Sequence, residues 1–114
     1  MLDDRQSGLL HDILSSALAI RDYLHGVDRT AFLANPEKQD AVLRRLEIIG
    51  EAASRLTPET QDLFPSLPFR SMRGMRNIIA HEYGEVDLDQ VWQTTLNELP
   101  VVAATLQKHF AQAE

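Results

Sequence analysis

The residues with the clearest chemical capability lie between positions 76 and 83. Within these eight positions the chain carries an arginine, an amide, an imidazole and a phenol, namely Arg76, Asn77, His81 and Tyr83. An arginine keeps its charge and donates paired hydrogen bonds to phosphate oxygens. A histidine titrates near neutral pH and can accept or donate a proton. The stretch therefore predicts a site that binds a phosphate group and transfers a proton beside it.

If the substrate is RNA, each of these side chains has a distinct role. Arg76 would stabilise the charge that accumulates on phosphate oxygens during phosphoryl transfer. His81 would take the proton of a ribose 2′-hydroxyl or give one to the leaving 5′-oxygen. Asn77 would orient the imidazole or hold the substrate, and Tyr83 would stack on a base or hydrogen-bond to the phosphate.

Attack by a 2′-hydroxyl requires no metal ion, and the sequence around His81 agrees with such a mechanism. The other histidines show no metal-ligand spacing with it, and they are His11, His25 and His109. We therefore predict neither a metal site nor a cofactor.

Each motif residue also has an ordinary structural explanation. A cation near a helix C-terminus interacts favourably with the helix dipole, so His81 could simply cap its helix. Arg76 could pair with Glu82 or Glu51. The ring of Tyr83 could pack in the core with its hydroxyl at the surface. These alternatives stay open on residue type and spacing alone.

Charge is distributed unevenly along the chain. The 11 basic and 17 acidic residues give a net charge of −6, which by itself argues against general nucleic-acid binding. Residues 63–81, however, contain no Asp or Glu and three arginines, Arg70, Arg73 and Arg76, so this stretch carries +3 and the remainder −9 (8 minus 17). We predict that Arg73 helps to bind phosphate, although three arginines on one helix could also form a solvated face.

Length and composition set the limits for the rest of the interpretation. A chain of 114 residues and 12.9 kDa fits a single domain, residues 1–114, with one core. The absence of cysteine excludes disulfides and thiolate metal sites. The acidic start does not follow the signal-peptide pattern, and no apolar run approaches about 18 residues. We expect a cytoplasmic protein without membrane contact.

Four long segments carry the apolar periodicity of amphipathic helices. They run from about Arg5 to His25, closed by Gly26, from Asn35 to about Leu56, from about Phe69 to Tyr83, closed by Gly84, and from Asp87 to beyond Phe110. A shorter helix is predicted from Thr57 to about Phe64. Short connections between these segments predict an all-α fold, an antiparallel four-helix up-and-down bundle with one extra short helix.

Caps and helix breakers set the ends of these elements. Asn35 and Thr57 each precede a proline, a favourable combination at a helix start. Asp87, with a glutamine three residues later, resembles a capping box. Thr30 is a possible cap for the turn after the first helix. Pro100 lies inside the last segment, where it should kink or divide the helix.

A regular helix does not bring Arg76 and His81 to the same phosphate. Five positions turn the helix by about 500°, a net rotation of about 140°, so the two side chains point apart. Either the helix is irregular at His81, or two chains pair so that Arg76 of one meets His81 of the other. We favour the second arrangement, a symmetric homodimer with a composite cleft. Gly74 would let a second backbone approach, although packing against the second helix of the same chain would also explain it.

The order of these motifs resembles that of a known family. Arg76, His81 and Tyr83 are spaced as in the signature of HEPN domains, specifically of HepT-like toxins that are paired with MntA-like nucleotidyltransferases. The likeness covers roughly residues 40–100 and includes Ile48-Ile49-Gly50-Glu51-Ala52, Phe64-Pro65, Pro68, Arg73-Gly74-Met75-Arg76-Asn77, Val86-Asp87, Val91-Trp92 and Leu99-Pro100. Gly84-Glu85 departs from the family's usual run after the tyrosine, which bears on substrate contacts more than on the chemistry.

The resemblance implies a five-helix HEPN homodimer that acts as a metal-independent ribonuclease, with Arg76 and His81 as catalytic residues. It also implies a toxin–antitoxin pair in which a cognate nucleotidyltransferase neutralises the toxin by transferring AMP to Tyr83. The expected partners are therefore RNA, the antitoxin and a second copy of the chain, and not DNA.

Two other functions are compatible with the same residues. A non-catalytic module could dock the nucleotidyltransferase and present nucleotide or substrate to it through the same arginines. A purely structural helical dimer could instead use Arg76, His81 and Tyr83 as interface residues.

Overall fold

The structure is a computed structural model that describes residues 2–74 and 86–113. Its helices are α1 (Asp4–Tyr23), α2 (Arg29–Leu33), α3 (Pro36–Ser54), α4 (Pro58–Asp62), α5, which begins at residue 69 and is described as far as residue 74, α6 (Leu88–Asn97) and α7 (Leu99–Ala113). The described residues form helices and turns and contain no strand. The predicted all-α fold is confirmed.

Three predicted caps begin helices as expected. Asn35 and Thr57 each accept a hydrogen bond from the backbone N–H three residues later, at 3.1 and 3.2 Å. Asp87 accepts from the backbone N–H of Gln90 at 3.2 Å. Each cap satisfies an amide that the helix itself leaves without a partner. The starts of α3, α4 and α6 were therefore predictable from local sequence.

The connection after α1 differs from the prediction. Residues 29–33 form the short helix α2, and its N-cap is Asp28, which accepts from the backbone N–H of Ala31 at 2.8 Å. The predicted cap, Thr30, is wrong because it already lies in the first turn of this helix. Gly26 has a φ of 73°, a left-handed conformation that favours glycine and that lets the chain turn out of α1.

Pro100 divides the last predicted helix in two. α6 ends at Asn97 and α7 begins at Leu99, which makes Pro100 the second residue of α7. A proline is tolerated in the first turn of a helix because the backbone N–H groups of that turn have no intrahelical acceptor, so the N–H that proline lacks breaks no helical hydrogen bond. The predicted break at this residue is confirmed.

The core lies where α1 packs against α3 and α7, and α2 contacts both α3 and α6. Its largest fully buried side chains include Leu10, Ile13, Ile20, Phe32, Ile49 and Leu106. α5 joins this core through Phe69 and Met72, each 6% exposed. Within the described ranges, no helix is both long and apolar enough to cross a membrane.

Candidate active site

The predicted motif falls mainly on a segment that lies outside the described residues. Arg76, Asn77, His81 and Tyr83 belong to that segment, as do Gly84 and the predicted end of the third long helix. Arg73 is the predicted site residue that the structure describes. The geometry on either side comes from α5, which precedes the segment, and from α6, which follows it.

The start of α5 separates an apolar stripe from a cationic one. Phe69 and Met72, three residues apart, share one side of the helix and are buried. Arg70 is exposed and Arg73 is half-buried. The buried pair fixes the rotation of the helix, and this rotation leaves the two arginines at or near the surface. The described part of the predicted cationic stretch is therefore accessible to an anionic ligand.

Arg73 is held by a neutral partner. Its Nη1 donates a hydrogen bond to Oε1 of Gln61 on α4, at 3.3 Å. The ion pairs of the described residues join Arg29 to Asp89, Arg44 to Glu47 and Arg55 to Glu51, and they include neither Arg70 nor Arg73. Both arginines consequently keep a positive charge that no described carboxylate neutralises.

Gln61 is hydrogen-bonded to the connection between α3 and α4. Gln61 Nε2 donates to the carbonyl oxygen of Leu56 at 3.1 Å. On either side of Leu56, Gln6 from α1 accepts from the backbone N–H of Thr57 at 2.9 Å and donates to the carbonyl of Arg55 at 3.4 Å. The side-chain amides of Gln6 and Gln61 thus provide hydrogen-bond partners for the carbonyl groups of Arg55 and Leu56 and for the N–H of Thr57. Sequence reasoning did not identify either glutamine, because their partners are set by tertiary packing.

Glu51, which could pair with Arg76 on the alternative explanation given above, lies on α3. Its Oε1 is 3.0 Å from Nη2 of Arg55, an i, i+4 pair on the same helix. The described structure therefore gives Glu51 a cation from its own helix. Whether Arg76 also reaches Glu51 concerns a residue outside the described part.

Gly74 is half-buried at the end of the described part of α5. A Cβ atom built on it would meet nothing within 4 Å. Close packing against α3 of the same chain therefore does not require glycine at this position, and that explanation is wrong. Approach by a second copy of the chain remains a prediction.

Two of the remaining histidines take part in aromatic packing. The ring centroid of His11 lies 4.4 Å from that of Phe110, and His109 lies 5.1 Å from Phe64 and 5.0 Å from Phe110. These contacts assign both imidazoles to the packing of α7 against its neighbours. Among the described residues, no group of three or more His, Cys, Asp or Glu side chains is arranged to hold a metal ion.

Comparison with known proteins decides the family. The sequence model of the family described as Ribonuclease HepT-like matches residues 13–109, which include α5, the motif and α6. The chain belongs to the HepT-like ribonuclease family. The predicted resemblance is thereby confirmed, as is the class of enzyme, a ribonuclease.

Curated relatives from archaea and bacteria are similar to this HepT-like chain. "Putative RNase MJ0125" of Methanocaldococcus jannaschii is 34% identical over 99 residues, which cover 87% of this chain and 85% of the relative. "Probable ribonuclease HepT" of Thermococcus cleftensis is 32% identical over 99 residues, 87% of this chain and 90% of the relative. "Putative RNase TTE0752" of Caldanaerobacter subterraneus is 33% identical over 91 residues, 80% and 81% of the two chains. No solved structure matches the chain significantly.

The family assignment covers the whole predicted site but does not assign roles within it. Residues 70–83 lie inside the matched range. The roles of Arg76 and His81 in catalysis, and of Arg73, Asn77 and Tyr83 in substrate binding, stay predictions from the chemistry of their side chains.

Proposed function

We propose that this HepT-like ribonuclease is a metal-independent endoribonuclease and that its reaction takes place at Arg76 and His81. The observation that carries the proposal is the HepT-like match across residues 13–109, which includes an arginine and a histidine whose side chains suit phosphate binding and proton transfer. Arg73, three residues before Arg76 in sequence, forms no ion pair with a carboxylate of the described residues, and this supports a phosphate-binding surface that includes the described part of α5.

The proposed reaction is an attack by the ribose 2′-oxygen on the adjacent phosphorus. His81 takes the 2′-hydroxyl proton as the new P–O bond forms, and the bond from phosphorus to the 5′-oxygen breaks. A protonated imidazole returns a proton to that leaving oxygen. Arg76 stabilises the negative charge on the non-bridging oxygens. The products are a 2′,3′-cyclic phosphate on one fragment and a 5′-hydroxyl on the other.

The proposed catalytic unit is a symmetric homodimer. Arg76 and His81 point about 140° apart on a regular helix, whereas two chains can bring one residue of each kind to a shared cleft. No heavy atom lies within 4 Å of a Cβ atom built on Gly74, which is compatible with the approach of a second chain at this position.

We also propose that the protein is the toxin of a toxin–antitoxin pair in the cytoplasm. Its partner would be an MntA-like nucleotidyltransferase that transfers AMP from ATP to the hydroxyl of Tyr83 and releases pyrophosphate. The attached group is bulky and anionic. It would occupy the space beside Arg76 and His81 and neutralise the charge that binds RNA.

The experiment that tests the proposed activity is RNA cleavage in the presence of EDTA. The protein must have an intact mass that corresponds to unmodified Tyr83, and His81→Ala is compared with His25→Ala, a matched loss of an imidazole outside the motif. We expect cleavage by the wild type and His25→Ala and none by His81→Ala. RNA binding without any cleavage by the unmodified wild type would instead favour a non-catalytic partner of the nucleotidyltransferase.

A further inference from the structure

We propose that Gln61 is a positioning residue for Arg73, so that the short helix α4 sets the direction from which this arginine meets the RNA backbone. The inference rests on the proposed function of Arg73 as a phosphate contact. It is carried by hydrogen bonds that run from the α3–α4 corner through Gln61 to Arg73.

The two bonds of Gln61 require a single orientation of its amide. A backbone carbonyl only accepts and a guanidinium only donates. The amide nitrogen must therefore face the carbonyl of Leu56, at 3.1 Å, and the amide oxygen must face Nη1 of Arg73, at 3.3 Å. If the amide turned over, it would oppose donor to donor and acceptor to acceptor. Gln61 thus presents a fixed acceptor toward α5.

The carbonyl group of Leu56, which accepts the hydrogen bond from Gln61, is itself held in place. The side chain of Leu56 is 5% exposed, and Gln6 bonds to the backbone on both sides of it, at Thr57 and Arg55. Gln6 is buried in α1, at 7% exposure. Arg73 is therefore tied through Gln61 to the packed frame of α1 and α3 rather than to another mobile surface side chain.

A neutral partner suits a residue that must bind phosphate. A carboxylate in place of Gln61 would neutralise Arg73 before RNA arrived, whereas the amide restrains the side chain and leaves its charge intact. The guanidinium has five N–H donors, and Gln61 accepts from one of its nitrogens. The restraint reduces the conformational entropy that Arg73 loses when it binds an anion.

Loss of Arg73 should have a different kinetic effect from loss of Arg76 or His81. Arg73 precedes Arg76 by three residues, so we assign it to a phosphate beside the one that reacts. Loss of its alignment should weaken RNA binding and raise KM more than it lowers kcat, because a contact made equally in ground state and transition state contributes mainly to binding.

The test is a double-mutant cycle of RNA affinity in a His81→Ala background, which keeps the RNA intact. The dissociation constant of a single-stranded RNA oligonucleotide is measured by fluorescence anisotropy across a series of KCl concentrations. The variants are Gln61→Met, which keeps the length of the side chain without its amide, Arg73→Gln, and the two together. Arg73→Gln should reduce the slope of log K against log salt by about 0.7, the value for one lost phosphate contact on a single strand.

Gln61→Met should weaken binding about three- to tenfold when Arg73 is present and leave it unchanged in Arg73→Gln, since residues that act through each other are non-additive. The matched control is Gln39→Met. Gln39 also bridges a helix end, donating to the carbonyls of Phe32 and Leu33 at 3.1 Å each, but it lies on α3 away from Arg73. The Gln39→Met substitution should therefore lower thermal stability without changing RNA affinity.

Several results would overturn the inference. Additive effects of Gln61→Met and Arg73→Gln would do so, as would equal losses of affinity in Gln61→Met and Gln39→Met. An unchanged affinity and salt slope in Arg73→Gln would remove Arg73 from the RNA site and Gln61 with it, while cleavage by the wild type would still support the proposed ribonuclease. Absence of cleavage would instead count against the proposed function, and the binding cycle would still decide the role of Gln61.

Discussion

The ring of Phe32 lies with its centroid 5.4 Å from that of Trp92, which packs the short helix α2 against α6. Phe32 is fully buried. Nearby, the exposed side chains of Arg29 and Asp89 form an ion pair between the same two helices. α6 is the first helix described after the motif segment, so these contacts with α2 fix where the chain continues beyond the proposed site.

Phe32→Ala should lower the free energy of unfolding by about 3–5 kcal/mol, because it removes a large buried ring and leaves a cavity. Arg29→Ala is the matched control on the same helix. It breaks an exposed ion pair and should cost less than about 1 kcal/mol. Urea denaturation of both variants measures the difference. Equal losses would show that α2 does not contribute to the core through Phe32.

Local sequence was sufficient to predict the elements whose signals are themselves local. Asn35, Thr57 and Asp87 cap helices because a short polar side chain meets amides two or three residues later. Pro100 breaks a helix through its own missing N–H. The predicted cap Thr30 was wrong, since the carboxylate of Asp28, two residues earlier, caps α2.

The contacts around Arg73 could not be predicted in the same way. Gln61 is 12 residues from Arg73, and Gln6 is 51 residues from Thr57. Neither separation has a helical period, and a glutamine on a helix surface usually faces water. The chemical types at the candidate site were evident from sequence, but which side chain orients Arg73 depends on how α4 packs beside α5.

A mixture of two inactive variants tests the composite cleft. Arg76→Ala and His81→Ala should each lack cleavage, but a 1:1 mixture that exchanges subunits should recover about a quarter of the wild-type activity. Half of its dimers are mixed, and one of the two clefts in each mixed dimer is intact. Recovery is measured by RNA cleavage after unfolding and refolding the chains together. No recovery, with mixed dimers verified by native mass spectrometry, would place both residues in a cleft formed by one chain.

Tyr83→Phe should prevent neutralisation by the nucleotidyltransferase. It removes the hydroxyl that accepts AMP and keeps the aromatic ring. Intact-mass measurement after incubation with ATP and the partner should show an AMP adduct on the wild type and none on the variant. Tyr23→Phe is the control, because Tyr23 is the only other tyrosine of the chain. An adduct that persists in Tyr83→Phe would exclude this tyrosine as the site of modification.

The acidic body of the protein should restrict RNA binding to the cationic stretch. Asp12 and Asp22 are exposed on α1, and changing both to asparagine removes two negative charges with little change in shape. Affinity for an unrelated RNA at low salt should rise, and the increase should vanish at high salt, where surface charges are screened. Unchanged affinity at low salt would show that the acidic surface does not affect selectivity.

The most direct test of the central claim is cleavage of an RNA that carries a single 2′-deoxynucleotide at a mapped cleavage position. Both substrates are incubated in EDTA. If the 2′-oxygen is the nucleophile, the deoxy-substituted RNA is not cleaved at that position, whereas the all-RNA substrate is cleaved there and leaves a 2′,3′-cyclic phosphate. Cleavage of the deoxy-substituted position, leaving a 3′-hydroxyl or a linear 3′-phosphate, would contradict the proposed mechanism at Arg76 and His81.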